Sequence, residues 1–130
     1  MPAPARRLFP MLSVADLPAS LRFYGDLLGG SIAYRFPEDE PVFVTLAIGD
    51  SEIGIGEVSE SPVHGQPQRP ASGHRIELCV YVEDVDDTVA EARAAGAPVR
   101  LEPVEQPWGE RIAFVEDPDG NLVMLTAESR

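Results

Sequence analysis

A chain of 130 residues with 44% hydrophobic content falls in the roughly 100–200 residue range of one domain and can bury a core. Its 22 acidic against 10 basic side chains, a formal charge of -12, repel phosphate backbones and anionic bilayers and attract small cations, which excludes nucleic acid as a partner. A single cysteine, Cys79, excludes an internal disulfide and a cysteine metal cluster, and no apolar run reaches the ~20 residues of a membrane span or follows Arg6 and Arg7 as a signal peptide would, so a soluble cytoplasmic protein is expected.

Leu8 to Val14 is apolar and places Leu12 and Val14 on one strand face, with Phe9, Met11 and Ser13 on the other. Asp16 then stands where a side-chain oxygen caps a helix, and Pro18 suits its first turn because the missing N–H has no intrahelical partner there. Leu17, Leu21, Tyr24 and Leu28 follow helical spacing up to Gly29. Strands are predicted over Ser31 to Phe36, Val42 to Ile48 and Glu52 to Val58, with Gly49-Asp50 turning the last two into a hairpin.

The same order then returns. Ile76 to Val82 predicts a strand with Leu78, Val80 and Val82 opposite Glu77, Cys79 and Tyr81. Asp84 caps a helix carrying Val85, Val89 and Ala92 and ending near Gly96. Strands follow over Pro98 to Pro103, Glu110 to Glu116 and Asn121 to Thr126, the last pair joined by the turn Asp117-Pro118-Asp119-Gly120. Residues Val14 to Leu21 and Val82 to Val89 share the pattern Val-x-Asp-(Leu/Val)-x-x-(Ser/Thr)-(Leu/Val). This internal repeat predicts two β-α-β-β-β modules, at about 7–58 and 74–127, inside one domain; 59–73, with Pro62, Gly65, Pro67 and Pro70, is linker-like.

The run Val14-x-Asp16-Leu17-x-x-Ser20-x-x-Phe23-Tyr24-x-x-x-Leu28-Gly29, with Asp84-Val85-Asp86 and Asp117-Pro118-Asp119-Gly120-Asn121, resembles the vicinal oxygen chelate superfamily of glyoxalases, extradiol dioxygenases and bleomycin-resistance proteins. The resemblance runs from Phe9 to Thr126. It implies an α+β fold in which the two tandem modules form an open eight-stranded cup, helices outside and a ligand cavity inside, and it implies a homodimer. In the family's metal enzymes, inward positions in the first and last strand of each module hold a metal through His, Gln or Glu. Counting seven residues back from each repeated aspartate reaches Phe9 and Glu77, and the late positions fall at Met124 and near Gly54.

Of those four, Glu77 alone suits a divalent cation, whereas catalytic sites take several oxygen or nitrogen donors. No metal and no cofactor are therefore expected; a shift of alignment toward Glu57 is the route by which a metal site would return. His64 and His74 read as turn or surface histidines. Cys79, on an apolar strand with no histidine base, reads as inert, and Asp117 and Asp119 as turn formers.

The expected ligand-binding set is Phe9, Met11, Glu77, Tyr81, Trp108, Arg111 and Met124, an apolar pocket with a polar anchor. Trp108-Gly109 resembles a tryptophan-glycine element of bleomycin-resistance-like relatives, and a tryptophan in such a turn can stack on a planar or cationic group. Arg111 either fixes an anionic group or pairs with Glu110 or Glu116. The reading is a metal-free binder of a hydrophobic or planar small molecule, cationic ones among the candidates. Its rivals are a metal-dependent glyoxalase-like lyase or dioxygenase, and a non-catalytic structural or regulatory domain.

Overall fold

The computed structural model describes residues 4–60, 64–70, 72–74 and 76–130. Residues 61–63 and 71 of the expected linker, Pro62 among them, lie outside the described residues. The chain divides into two compact units, 1–68 and 69–130.

The first unit runs β1 (Met11–Val14), helix α1 (Leu17–Leu21) continued by a wider turn over Arg22–Leu27, then β2 (Ser31–Phe36), β3 (Phe43–Ile48) and β4 (Ser51–Glu57). Its strands lie in the order β1-β4-β3-β2, with β1 parallel to β4 and the other pairs antiparallel. The second unit repeats this as β5 (Glu77–Tyr81), α2 (Val85–Ala94), β6 (Val99–Glu105), β7 (Glu110–Glu116) and β8 (Leu122–Glu128), in the order β5-β8-β7-β6. Two tandem β-α-β-β-β modules, each with a four-stranded mixed sheet, are what the repeat predicted.

Alternation decides which sheet face is buried. In the first unit Val14, Val44, Leu46, Ile53 and Ile55 form a core with Leu17, Phe23 and Tyr24 from the helical segment; in the second, Ala113, Val115, Val123 and Leu125 do so with Val85, Val89 and Ala92. Asp16 and Asp84 cap the two helices, accepting from the N–H of Ala19 at 3.0 Å and of Asp87 at 2.9 Å. Gly96, at φ +90°, ends α2 while the Ala97 N–H donates to Ala92 O, closing the last turn.

Several boundaries differ from the sequence reading, most by one or two residues, and three have a local physical reason. The first strand starts at Met11 rather than Leu8, because Pro10 has no N–H to donate to a ladder. The first helix loses α-geometry after Leu21: the Leu28 N–H reaches back five residues to Phe23 O at 3.2 Å. The strand expected to stop at Pro103 runs to Glu105, since β6 is an edge strand where a missing N–H costs no bond, and register shifts on either side of Leu101 absorb the irregularity.

Candidate functional site

On the sheet of the second unit the face turned away from α2 carries Glu77, Cys79 and Tyr81 from β5, Met124 opposite Cys79, and Phe114 opposite Met124. The three β5 side chains are exposed, while Leu78 and Val80 between them are partly buried. Sequence alternation thus brings Glu77, Tyr81 and Met124 to one surface. Trp108 joins them from the tight turn between β6 and β7, where Gly109 adopts φ +93° and the Gln106 N–H donates to Glu110 O. Its indole is 62% exposed.

What holds that cluster together is Glu110, absent from the expected set. Its Oε2 accepts from the Tyr81 hydroxyl at 2.7 Å and its Oε1 from the Trp108 indole N–H at 2.8 Å. These donors, Tyr81 first, keep the Glu110 carboxyl below the usual carboxylate range, and the same bond raises the Tyr81 phenol above its usual value. Although Cys79 is exposed at the strand surface, partial desolvation there and then Glu110 and Glu77 push its thiol up, which makes it a poor nucleophile. Period two puts Glu110 on one face with Phe114, but only the register of β7 on β8 brings that face to Met124.

Arg111 goes elsewhere. One residue on from Glu110, it projects from the opposite face toward α2, where its guanidinium meets Asp86 at 2.6 and 2.9 Å and Glu105 at 3.4 Å. It pairs with neither Glu110 nor Glu116; Glu116 takes Arg100 instead. A cleft of about 260 Å³ beside the N-terminus of α2 includes Arg111, Asp86, Glu105 and Arg130; both of its arginines are taken up in ion pairs, Arg111 with Asp86 and Glu105 and Arg130 with Asp84.

In the first unit, Met11 stands opposite Gly54 and is exposed, on the face turned away from α1. Phe9 precedes β1, with the Arg7 guanidinium 4.9 Å above its ring. Phe43 lies against Gly54 and Gly56, and Tyr34 packs near it at 6.3 Å between ring centroids.

The matching registers Met11 with Gly54 and Cys79 with Met124 make Gly54 the counterpart of Met124. The positions that the resemblance assigns to a metal are therefore Phe9 and Gly54 in the first unit and Glu77 and Met124 in the second. A single carboxylate cannot hold a divalent cation against water, and a side chain at position 54 would begin 3.1 Å from Met11 Cγ and 3.4 Å from the Phe43 ring. Glu57 offers no rescue, because alternation puts it with Ile53 and Ile55; Glu52, on the Gly54 face, is paired with Arg7 at 2.6 Å. Among the described residues no group of three or more His, Cys, Asp or Glu could hold a metal ion. The residues present do not fit the family's metal. His64 sits in a local turn, its Nδ1 accepting from the Gln66 N–H, and His74 is exposed.

Residues 8–125 match the family model described as the Glyoxalase/Bleomycin resistance protein/Dioxygenase superfamily. A probable lactoylglutathione lyase of Synechocystis is 34% identical, with 94% of this chain and 95% of that protein covered. A lactoylglutathione lyase of Haemophilus influenzae is 35% identical over 87% of this chain and 85% of that protein. A crystal structure of a protein of unknown function from Agrobacterium tumefaciens superposes with a TM-score of 0.75 at 25% identity, covering 95% of this chain and 94% of that one. With the repeat, the strand order and this match all running the length of both units, the chain belongs to the Glyoxalase/Bleomycin resistance protein/Dioxygenase superfamily.

Proposed function

We propose that this chain is a metal-free member of its superfamily that binds a hydrophobic or planar small molecule as a homodimer. The observation that carries this is the donor set: Phe9, Gly54 and Met124 stand where a metal enzyme needs oxygen or nitrogen ligands. In their place are apolar side chains, two exposed aromatics in Tyr81 and Trp108, and the carboxylates of Glu77 and Glu110, a combination suited to enclosing a flat ligand and orienting it by a few polar groups. Phe9, Met11, Glu77, Tyr81, Trp108 and Met124 are the proposed contacts; Arg111 serves α2 instead.

The relatives named lactoylglutathione lyase support a second reading, a lyase using a metal. A glutathione thioester carries more carboxylates than amines, and the acidic face formed by Glu77 and Glu110 opposes such an anion. Elemental analysis of the chain purified without chelator separates the two. No stoichiometric divalent metal, together with quenching of Trp108 fluorescence by planar aromatic compounds that disappears in Trp108→Ala, is the expected result. One tightly held Fe, Mn, Ni or Zn per chain would establish the lyase reading instead.

A further inference from the structure

We propose that Glu110 makes this site selective for organic cations, molecules in which an aromatic or alkyl frame bears a protonated amine, an amidinium or a quaternary nitrogen. The inference rests on the binding-protein reading above and names the ligand class of that same site.

The carboxylate of Glu110 is fixed from two directions. Tyr81 reaches it from β5 and Trp108 from the β6–β7 turn, one donor on each oxygen. A carboxylate has about four lone-pair sites, so with Tyr81, Trp108 and a further contribution from the Thr126 hydroxyl an acceptor site is left for a ligand. Among the described residues no cation pairs with it: the chain contains no lysine, and the ion-paired arginines are engaged by Glu52, Asp84, Asp86, Glu102, Glu105 and Glu116, not by Glu110. A charge held in place without a counter-ion is what a cationic ligand would complete.

The surroundings favour the same class. Tyr81 and Trp108 are 66% and 62% exposed and turn their polar ends to Glu110, which leaves ring surface beside the carboxylate for a cation to cover. Glu77 adds negative charge on the same face but, among the described residues, no hydrogen bond orients it. Glu77 raises the local attraction for any cation; Glu110 specifies where the positive atom sits. Anionic ligands are opposed by both.

The test compares two probes of one shape, the quaternary cation N-methylacridinium and neutral acridine, by calorimetry on the full chain in mildly alkaline buffer. The wild-type chain should hold N-methylacridinium more tightly than acridine. Glu110→Gln should remove about fivefold of that preference, the upper end for an exposed ion pair, read as the ratio of the two affinities so that any loss shared by both probes through the Tyr81 and Trp108 contacts cancels. Glu77→Gln should alter the preference by less than about twofold. If Glu110→Gln lacks a cooperative melt, Glu110→Thr, which keeps strand propensity without charge, replaces it. Equal binding of the two probes, or a preference that survives loss of Glu110, would overturn the cation selectivity and leave the binding-protein reading standing. Failure of the wild-type chain to bind either probe would remove both.

Discussion

Asp16 and Asp84 each give one carboxylate oxygen to an N–H in the first turn of a helix that would otherwise have no acceptor. Neither projects from the sheet face that carries Tyr81 and Trp108. Asp16→Ala and Asp84→Ala should therefore each cost about 1 kcal/mol of stability in urea melts and leave ligand affinity unchanged; a variant with full stability and lost binding would make that aspartate a site residue. Asp84 also accepts from Arg130 at 3.0 Å, a contact with no counterpart at Asp16 among the described residues, so the second cap should be at least as costly to remove. Asp117 shows the same economy in a turn. Its carboxylate accepts from the N–H groups of Asp119 and Asn121 and from the Asn121 side chain, and it is buried to 3% exposure, so the role of turn former expected from Asp-Pro-Asp-Gly is the one it has.

Helix α2 is tied to β7 by Arg111, which spans from the sheet to Asp86 in the first helical turn. The hydrogen bond and charge of Arg111 hold the Asp86 carboxyl below its ordinary value of 3.8. A carboxyl with a folded-state pKa below its unfolded value stabilises the fold above the unfolded value, and that contribution is lost as pH falls through the folded one. The melting temperature should accordingly drop as pH is lowered from neutrality through the range below 3.8, and Arg111→Gln should flatten the part of that acid limb owed to Asp86. Both groups are solvent-accessible, so the effect should shrink in high salt. An acid limb identical in wild type and Arg111→Gln would show that the pair contributes nothing to holding α2.

Across the whole chain, a metal bound only by the native state would raise stability by RT ln(1 + [L]/Kd), about 2.7 kcal/mol at a hundredfold excess over Kd. With three of four ligand positions filled by Phe9, Gly54 and Met124, chelator should leave the melting temperature where it was; a fall of several degrees would restore a metal to the protein. The proposed homodimer has its own test. Strands β1, β2, β5 and β6 end their sheets, and β2 is exposed along its whole length, Ile32, Tyr34 and Phe36 included. Unpaired edges with apolar side chains favour association with a second copy. Light scattering at micromolar concentration should return twice the 14.1 kDa of one chain; a monomer would remove the homodimer from the proposal. Among the described residues no helix is long and apolar enough to cross a membrane.

The two modules, the helix caps, the hairpin turns and the alternation that turns Leu78 and Val80 away from the face of Glu77, Cys79 and Tyr81 were legible in the chain because each depends on neighbours within a few residues: a periodicity, a capping oxygen, a glycine after a helix. That Phe9, Gly54 and Met124 supply no hard donor was legible for the same reason, since none of these side chains donates oxygen or nitrogen wherever the fold places it. Only tertiary structure decided which partner each charged side chain takes. Arg111, expected at the ligand, belongs to Asp86, 25 residues earlier, and Glu110, passed over, is held by Tyr81, 29 residues earlier. Those pairings depend on β5, α2 and β7 being laid side by side. Sequence distance carries almost no information about them, because the sheet sets the spacing while the pleat sends two adjacent residues of one strand to opposite faces.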